Sequence, residues 1–163
     1  RLKVGILGCG PIAQAAHFES ATKARNAELY AICDIAGDLR ERMTATHAPS
    51  KSFSDYDEML ADPALEAVVI ATADAFHVEA AARALKAGKH VLCEKPMSLT
   101  AYQADAMFAA AEKAGTFMAE AFMYRLHPQS QRLVELVRSG AVGEVRIIKS
   151  SFGFALPGFN SML

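Results

Sequence analysis

Short apolar runs alternate with amphipathic stretches along the first 120 or so residues of the chain. Each apolar run predicts a buried strand. Six strands are predicted, at residues 2–7, 28–33, 51–53, 67–71, 90–93 and 116–122. Helices are predicted at 12–24, 38–46, 55–60, 75–87 and from 98 or 100 to 114. This alternation is typical of an α/β fold, a Rossmann-type doubly wound parallel sheet with right-handed crossovers.

The pattern changes after Phe122. A polar and aromatic link at 123–128 precedes a predicted helix at 129–138, and residues 145–154 predict a long strand of a different sheet. We therefore expect a Rossmann domain over 1–122 and, over 123–163, a linker helix and the first strand of an incomplete α+β substrate domain. Apolar side chains follow that strand and would be costly to expose, so we expect a homo-oligomer formed through the C-terminal sheet. They are Phe152, Phe154, Leu156 and Phe159.

Composition narrows the function classes. The 163 residues are 52% hydrophobic, and 17 basic and 18 acidic side chains leave a net charge of −1. Such a chain has no electrostatic reason to bind nucleic acid or an anionic membrane, and its histidines and cysteines show no metal-ligand spacing. Cys9, Cys33 and Cys93 follow or end predicted strands and are interpreted as small buried apolar residues. We expect a cytoplasmic protein, although the chain starts without methionine and a removed export leader is the alternative.

A glycine-rich turn follows the first predicted strand and opens the first helix. Residues 8–13 have the G-x-G-x-x-A form of a dinucleotide-binding loop. Gly8 permits a tight turn, Gly10 leaves room for a pyrophosphate, and Ala13 lets the helix approach the strand closely. Pro11 fits the first helical turn, where no backbone donor is lost. The amides of that turn would face the phosphates, and the predicted cofactor contacts here are Gly8, Gly10, Pro11, Ile12 and Ala13.

Asp34 ends the second predicted strand, where a dinucleotide fold places its ribose ligand. A carboxylate there accepts hydrogen bonds from the ribose hydroxyls and repels a 2′-phosphate, which favours NAD over NADP. Arg40 and Arg42 are near enough in sequence to accommodate a phosphate, so NADP stays possible. A glycine turn with a surface aspartate is the purely structural alternative.

Two more candidate groups lie where the fourth and fifth predicted strands end. Loops at the carboxyl ends of parallel strands line the ligand crevice of such a sheet. Thr72 and His77 follow the fourth strand and are candidate cofactor contacts, with an ordinary helix histidine as the alternative for His77. Glu94, Lys95 and Pro96 follow the fifth strand, where a lysine is out of place in a core but suited to the floor of a cofactor cleft.

These motifs together resemble the Gfo/Idh/MocA family of oxidoreductases, above all through Glu94-Lys95-Pro96, the family's signature. Residues 119–129 are similar to the branch containing dihydrodiol and xylose-type dehydrogenases. The resemblance implies hydride transfer between nicotinamide and a carbinol of a sugar, polyol or diol. It implies that Lys95 is catalytic, that the Glu94-Lys95-Pro96 segment also contacts the cofactor, and that the bond before Pro96 is cis. Tyr124, Arg125 and His127 are candidate substrate contacts, with a structural linker role as the alternative.

The chain departs from the family pattern in two places. The family's Thr-Pro-Asn is here Thr72-Ala73-Asp74, which removes a rigid turn and places a carboxylate near the cofactor. The family's further acid/base residue, in its substrate domain, has no counterpart in the printed sequence. A non-catalytic dinucleotide-binding sensor or assembly subunit is therefore one alternative, and the inactive cofactor half of a longer enzyme is another.

Overall fold

A computed structural model describes residues 1–153, and the chain divides into one compact unit from Arg1 to Phe122 and a second from Met123 onward. The strands of the first unit are β1 Leu2–Leu7, β2 Ala27–Cys33, β3 Lys51–Phe53, β4 Ala67–Ile70, β5 His90–Cys93 and β6 Met118–Glu120. Its helices are α1 Phe18–Lys23, α2 Gly37–His47, α3 Tyr56–Ala61, α4 His77–Lys86 and α5 Ala101–Ala114. A π-helical turn, Ala13–His17, leads into α1.

All six strands are parallel and form one sheet in the order β3-β2-β1-β4-β5-β6. The predicted doubly wound Rossmann sheet is confirmed. Strands β2 and β3 are added on one side of β1, and strands β4 to β6 are added on its other side. The order of strands therefore reverses between β1 and β4, which are direct neighbours. Because the crevice outside the carboxyl ends of these two strands is the ligand site of such folds, the topology brings the loops after β1, β2, β4 and β5 to one edge.

Helices cover both faces of the sheet. On one face, Phe18 of α1 is completely buried against Ile6 of β1 and Ile32 of β2. On the other face, Met59 of α3 and Leu85 of α4 pack with buried residues of β4 and β5. In β5 the side chains alternate between buried and exposed, whereas all four residues of β4 are buried. The buried strand predicted at 67–71 is thus confirmed as β4, which is covered on both faces.

The second unit contains a short 3₁₀ turn, Met123–Leu126, and helix α6, Pro128–Arg138. The predicted helix at 129–138 is confirmed, but residues 145–153 form no strand. A strand needs a neighbour to satisfy its backbone donors and acceptors, and no strand of the described residues pairs with this segment. Phe154, Leu156 and Phe159 lie outside the described residues, and the oligomer predicted from this segment stays a prediction.

A buried polar cluster at the end of the sheet opposite the crevice is formed around Asp62. Its carboxylate accepts hydrogen bonds from Lys51 Nζ at 2.6 Å, from the Tyr30 hydroxyl at 2.9 Å and from the Ala64 amide at 2.9 Å. The ion pair with Lys51 and the amide bond lower the pKa of Asp62 to about 2. The cluster therefore holds this carboxyl in its charged form.

We expect Asp62→Asn to lower the free energy of unfolding by about 1–3 kcal/mol at pH 7, because it removes hydrogen bonds to a charged acceptor. Since the folded-state pKa of Asp62 is depressed, its contribution is present above pH 4 and is lost as pH falls toward 2. Urea unfolding between pH 2 and 7 measures this. The free energy of unfolding should fall less between pH 4 and pH 2 for Asp62→Asn than for the wild type. The control is Glu19→Gln in the exposed pair with Lys23, and identical acid slopes for Asp62→Asn and wild type would contradict the assignment.

Candidate active site

A cleft of about 800 Å³ opens at the carboxyl edge of the sheet, between the loops after β1, β2 and β4. Six of the predicted site residues line it, namely Gly8, Gly10, Pro11, Ile12, Asp34 and Thr72. Ala13 is fully buried beneath the first helical turn, as its predicted packing role requires. The topology therefore brings together groups that lie up to 64 positions apart in the sequence.

The two glycines of the first loop have different environments. Gly8 has a φ of +94°, and a Cβ there would lie 2.7 Å from the carbonyl oxygen of Ala71. Its amide donates to the carbonyl of Cys33 at 2.8 Å, so the turn is held between β2 and β4. A Cβ on Gly10 would meet nothing within 4 Å. Gly8 thus fits the requirements of the backbone, whereas Gly10 leaves open space in the cleft.

Asp34 is fixed by backbone amides at the rim of the cleft. One carboxylate oxygen accepts from the Cys9 amide at 2.7 Å, and the other accepts from the Ala36 amide at 2.8 Å. Arg40 donates to the backbone carbonyl of Asp34 at 2.6 Å. The carboxylate is therefore oriented by its own loop and by the glycine loop after β1. Of Arg40 and Arg42, Arg40 is the one that contacts Asp34.

The segment after β5 presents Lys95 on a tightly hydrogen-bonded loop. The bond between Lys95 and Pro96 is cis, which confirms that prediction. Glu94 is buried, and its carboxylate accepts from His17 Nε2 at 2.8 Å and from the Lys95 amide at 3.1 Å. Lys95 itself is exposed, and no side chain among residues 1–153 forms an ion pair or hydrogen bond with its ammonium. The loop therefore holds its backbone firmly while it leaves the charge of Lys95 available.

His77 links the loops that follow β4 and β5. The ring is completely buried, with Nδ1 2.8 Å from the Pro96 carbonyl and Nε2 3.1 Å from the Thr72 carbonyl. A neutral imidazole donates through one nitrogen at a time, whereas an imidazolium donates to both. A neutral ring therefore donates to one of the two carbonyls and an imidazolium to both, and the ring lies between Thr72 of the cleft and the loop that carries Lys95.

The three cysteines are free and buried. Burial raises the pKa of Cys9, Cys33 and Cys93 to about 12, with the nearby carboxylates adding to the effect. A thiol with such a pKa stays protonated at neutral pH and is a poor nucleophile or metal ligand. The interpretation of these residues as small apolar core residues is confirmed. Across residues 1–153 no three His, Cys, Asp or Glu side chains are grouped closely enough to hold a metal ion.

Comparison with known proteins agrees with this geometry. Residues 2–122 match the family described as an oxidoreductase family with an NAD-binding Rossmann fold, GFO_IDH_MocA. The chain belongs to the Gfo/Idh/MocA oxidoreductase family. The match covers the whole unit that contains the cleft, and the resemblance based on the glycine loop and Glu94-Lys95-Pro96 is therefore confirmed.

Individual members of the Gfo/Idh/MocA family match most of this chain. An uncharacterised oxidoreductase of Rhizobium meliloti is 40% identical over 151 residues, which are 93% of this chain and 45% of the relative. A D-xylose 1-dehydrogenase (NADP(+)) of Haloferax volcanii is 36% identical over 154 residues, 94% of this chain and 44% of the relative. KijD10, a 3-ketoreductase from Actinomadura kijaniata whose crystal structure contains NADP, superimposes with a TM-score of 0.82 at 32% identity, over 89% of this chain and 44% of KijD10.

The chain spans about half the length of the curated relatives it matches. The family is an NAD-binding family, and KijD10 contains NADP, so the comparisons support NAD(P) without favouring NAD over NADP.

Several groups at the site were not found from the sequence. His17 and Glu120 hold the Lys95 loop, the latter by accepting from the Met97 amide at 3.0 Å. His17 lies in a π-helical turn, where the repeat of the helix differs from the 3.6 residues that sequence patterns assume. Its contact with Glu94 spans 77 positions. The one available signal was a histidine in the first helix after a dinucleotide loop, which is not specific by itself.

The cleft also extends to a region between α3 and α4 that was not predicted. Ser54, Tyr56, Phe76, Glu79 and Arg83 line it there. The guanidinium of Arg83 lies 5.0 Å from the centre of the Tyr56 ring and 2.6 Å from Asp57. This part of the cleft therefore combines the aromatic ring of Tyr56 with the guanidinium of Arg83, whose charge is paired with Asp57.

The candidate substrate contacts lie in the second unit. Tyr124 and Arg125 belong to the 3₁₀ turn, and His127 begins α6, where its Nδ1 accepts from the Gln129 amide at 3.2 Å. This cap gives His127 a local structural role, which was the alternative considered for it. The role of Tyr124, Arg125 and His127 in substrate binding stays a prediction.

Proposed function

We propose that this chain binds NAD(P) in the cleft and takes part in hydride transfer between nicotinamide and a carbinol carbon of a sugar, polyol or diol. The observation that carries the proposal is the open space at Gly10 opposite the fixed carboxylate of Asp34, with the free ammonium of Lys95 at the end of a neighbouring strand. The family match and the sugar and ketone substrates named for the relatives support it.

The residues of the cleft suit a dinucleotide. The first-turn amides of a helix have no acceptor within the helix and favour an anion, so the turn after Gly10 would hold the pyrophosphate. Asp34 would accept from the adenosine ribose hydroxyls, and the loop at Thr72 would lie along the middle of the cofactor. When bound, the nicotinamide supplies the hydride donor or acceptor. The chain's own contribution is binding, orientation and charge.

Lys95 is the residue to which we assign catalysis. Its ammonium would donate a hydrogen bond to the substrate hydroxyl and stabilise the negative charge that develops on that oxygen as the C–H bond breaks. It could pass the hydroxyl proton onward, since an amine next to a reacting oxygen is suited to acid–base transfer. Glu94, Pro96 and His77 would support this role by holding the loop, in addition to the cofactor contacts predicted for them.

The proposed preference is for NAD, with NADP as a possible second cofactor. Asp34→Ser is expected to weaken NAD binding by about 10- to 100-fold, because hydrogen bonds to a charged acceptor contribute about 1.5–3 kcal/mol. NADP binding should weaken less or improve, because the repulsion of the 2′-phosphate is gone and Arg40 lies beside the site. Isothermal titration with each cofactor measures the ratio of the two Kd values.

Asp38→Ser is the matched control for that experiment, since Asp38 is an exposed aspartate in the first turn of α2. It should leave both Kd values within about twofold of wild type, a change of about 0.4 kcal/mol. A wild-type protein that binds NADP more tightly than NAD, or an Asp34→Ser ratio equal to the wild-type ratio, would overturn the proposed preference.

The function as a whole is tested by fluorescence titration with NADH and by turnover with a panel of aldoses, polyols and diols. Binding with reduction of NAD by one class supports the proposal and identifies the substrate class. Binding with no turnover by any class would instead favour the non-catalytic dinucleotide-binding role. Absence of binding of either cofactor would reject both.

Location and assembly are proposed from the cysteines, the apolar surface and the charge. Three free buried thiols are consistent with a reducing compartment, and we propose a cytoplasmic location. We also propose a homo-oligomer and no nucleic-acid or membrane partner, on the basis of the exposed apolar residues after α6 and the balanced charge. Within the described part of the chain, none of the helices has the length and apolar character needed to span a bilayer.

A further inference from the structure

The loop that carries Lys95 is held by three polar contacts, one within the loop and one each from α4 and β6. Glu94 accepts from the Lys95 amide, the Pro96 carbonyl lies against His77 of α4, and the Met97 amide donates to Glu120 of β6. Of these, only the Glu94 contact depends on a charged side chain that is adjacent to Lys95 in the chain. The state of that carboxylate therefore has the most direct effect on the ammonium of Lys95.

Glu94 is oriented by His17, the last residue of the π-helical turn before α1. The His17 Nε2 and Glu94 Oε1 atoms are 2.8 Å apart, and the two side chains are only 12% and 8% exposed. Because an ionised carboxylate only accepts hydrogen bonds, Nε2 is the donor. The second carboxylate oxygen is occupied by the Lys95 amide. Both oxygens of Glu94 are thus engaged by groups other than the Lys95 ammonium.

We propose that His17 is a positioning residue for Lys95, which keeps the Glu94 carboxylate away from the Lys95 ammonium and so leaves that ammonium free for the substrate hydroxyl. Glu94 and Lys95 are neighbours in the chain, and an exposed lysine can easily reach a carboxylate that has lost its other partner. Removing His17 would release Glu94, which would then pair with Lys95. The catalytic use of the free Lys95 ammonium rests on the proposed function, but the geometry of the His17–Glu94 pair does not.

The placement of His17 also connects two parts of the site. His17 ends the π-helical turn that begins at Ala13, directly after the glycine loop. The same short segment would therefore present its first amides to the pyrophosphate and its last side chain to Glu94. Through this contact the glycine loop after β1 is connected to the loop that carries Lys95 after β5, although β4 lies between the two strands.

The experiment follows the Lys95 amine itself. Lysines are dimethylated with ¹³C-formaldehyde, and the NMR signal of Lys95 is assigned by its absence in Lys95→Arg. Its titration is compared in wild type, His17→Ala, His17→Gln and His17→Ala/Glu94→Gln, without cofactor or substrate. Of the titratable groups on the elements around the loop, His77 and Glu120 contact the loop and Cys93 ends the strand before it, and all three are unchanged in the four proteins.

His17→Ala should raise the Lys95 titration midpoint by about 0.3–0.7 pH units, the shift expected for a new ion pair between the exposed ammonium and the Glu94 carboxylate. His17→Gln, whose amide can donate to Glu94, should restore the wild-type midpoint, and Glu94→Gln in the alanine background should abolish the shift. A purely structural role for His17 would change stability without this pattern. An unchanged midpoint in His17→Ala, or equal shifts in the alanine and glutamine variants, would overturn the proposal.

If His17→Ala does not fold, His17→Asn replaces it. Because the asparagine side chain is too short to reach Glu94, this variant should raise the Lys95 titration midpoint as the alanine variant does. NADH titration of the same proteins keeps the two proposals apart. Failure of the wild type to bind NADH would reject the proposed function and leave the Lys95 result intact. A shifted Lys95 midpoint with normal NADH binding would support both.

Discussion

Gly10→Val is expected to weaken NADH binding at least about 100-fold, which corresponds to about 2.7 kcal/mol, while the protein stays folded. The reason is that a Cβ at this position meets no protein atom within 4 Å, so the added methyl groups would occupy space that the pyrophosphate requires. The free energy of unfolding should change by no more than about 1 kcal/mol, as for other substitutions without a clash. NADH fluorescence titration and urea unfolding measure the two quantities.

Gly8→Ala is the matched comparison, and it should give the opposite pattern. Its Cβ would lie 2.7 Å from the Ala71 carbonyl oxygen at a φ of +94°, so we expect a loss of about 2–4 kcal/mol in the free energy of unfolding. If Gly10→Val bound NADH as the wild type does, the cleft would not be the pyrophosphate site. If both variants lost stability equally, the distinction between the two glycines would be wrong.

Lys95→Met should lower kcat/KM for hydride transfer by about 10²- to 10⁴-fold, the range found when a donor to a developing oxyanion or a general acid–base group is lost. The methionine keeps much of the length and apolar volume of lysine and removes the ammonium. Because Lys95 is exposed and its side chain has no partner among residues 1–153, stability should hardly change. Turnover with the active substrate class and urea unfolding are the measurements.

Lys113→Met controls for the loss of a surface lysine, since Lys113 is exposed near the end of α5. It should retain wild-type turnover. NADH affinity of Lys95→Met should fall by less than about tenfold, since one exposed charge contributes about 1 kcal/mol or less. Turnover in Lys95→Met close to that of wild type would remove Lys95 from the catalytic role.

Together these variants separate three tasks at the site, two of them at the glycine loop that lines the cleft and one on the loop after β5. Gly8 maintains the turn, Gly10 provides space, and Lys95 supplies a charge that its own loop does not neutralise. The hydrogen bonds of Glu94 and His77 fall on the loop backbone and on neighbouring residues. The chemistry of the site therefore depends on polar residues that hold the loop as well as on those that face the cleft.

Local features were sufficient to predict most of the fold and six of the residues that line the cleft. Strands and helices follow from apolar runs and from residues at their ends, and the glycine loop and Glu94-Lys95-Pro96 are contiguous motifs with a mechanism for each position. Asp34 was found because its distance from the loop is set by one crossover helix. Each of these depends on residues close together in the chain, so the sequence alone determined them.

Contacts between distant segments were decided by the tertiary structure. The strand order places β1 beside β4 and so brings Thr72 and the lysine loop to the glycine loop. The His17–Glu94 pair depends on a π-helical turn and joins residues 77 positions apart. The apolar pattern at 145–153 predicts a strand, yet it does not show whether a neighbouring strand exists to pair with it. Sequence patterns describe the preferences of a segment, but the partner that satisfies each buried polar group is settled only when the whole sheet is assembled.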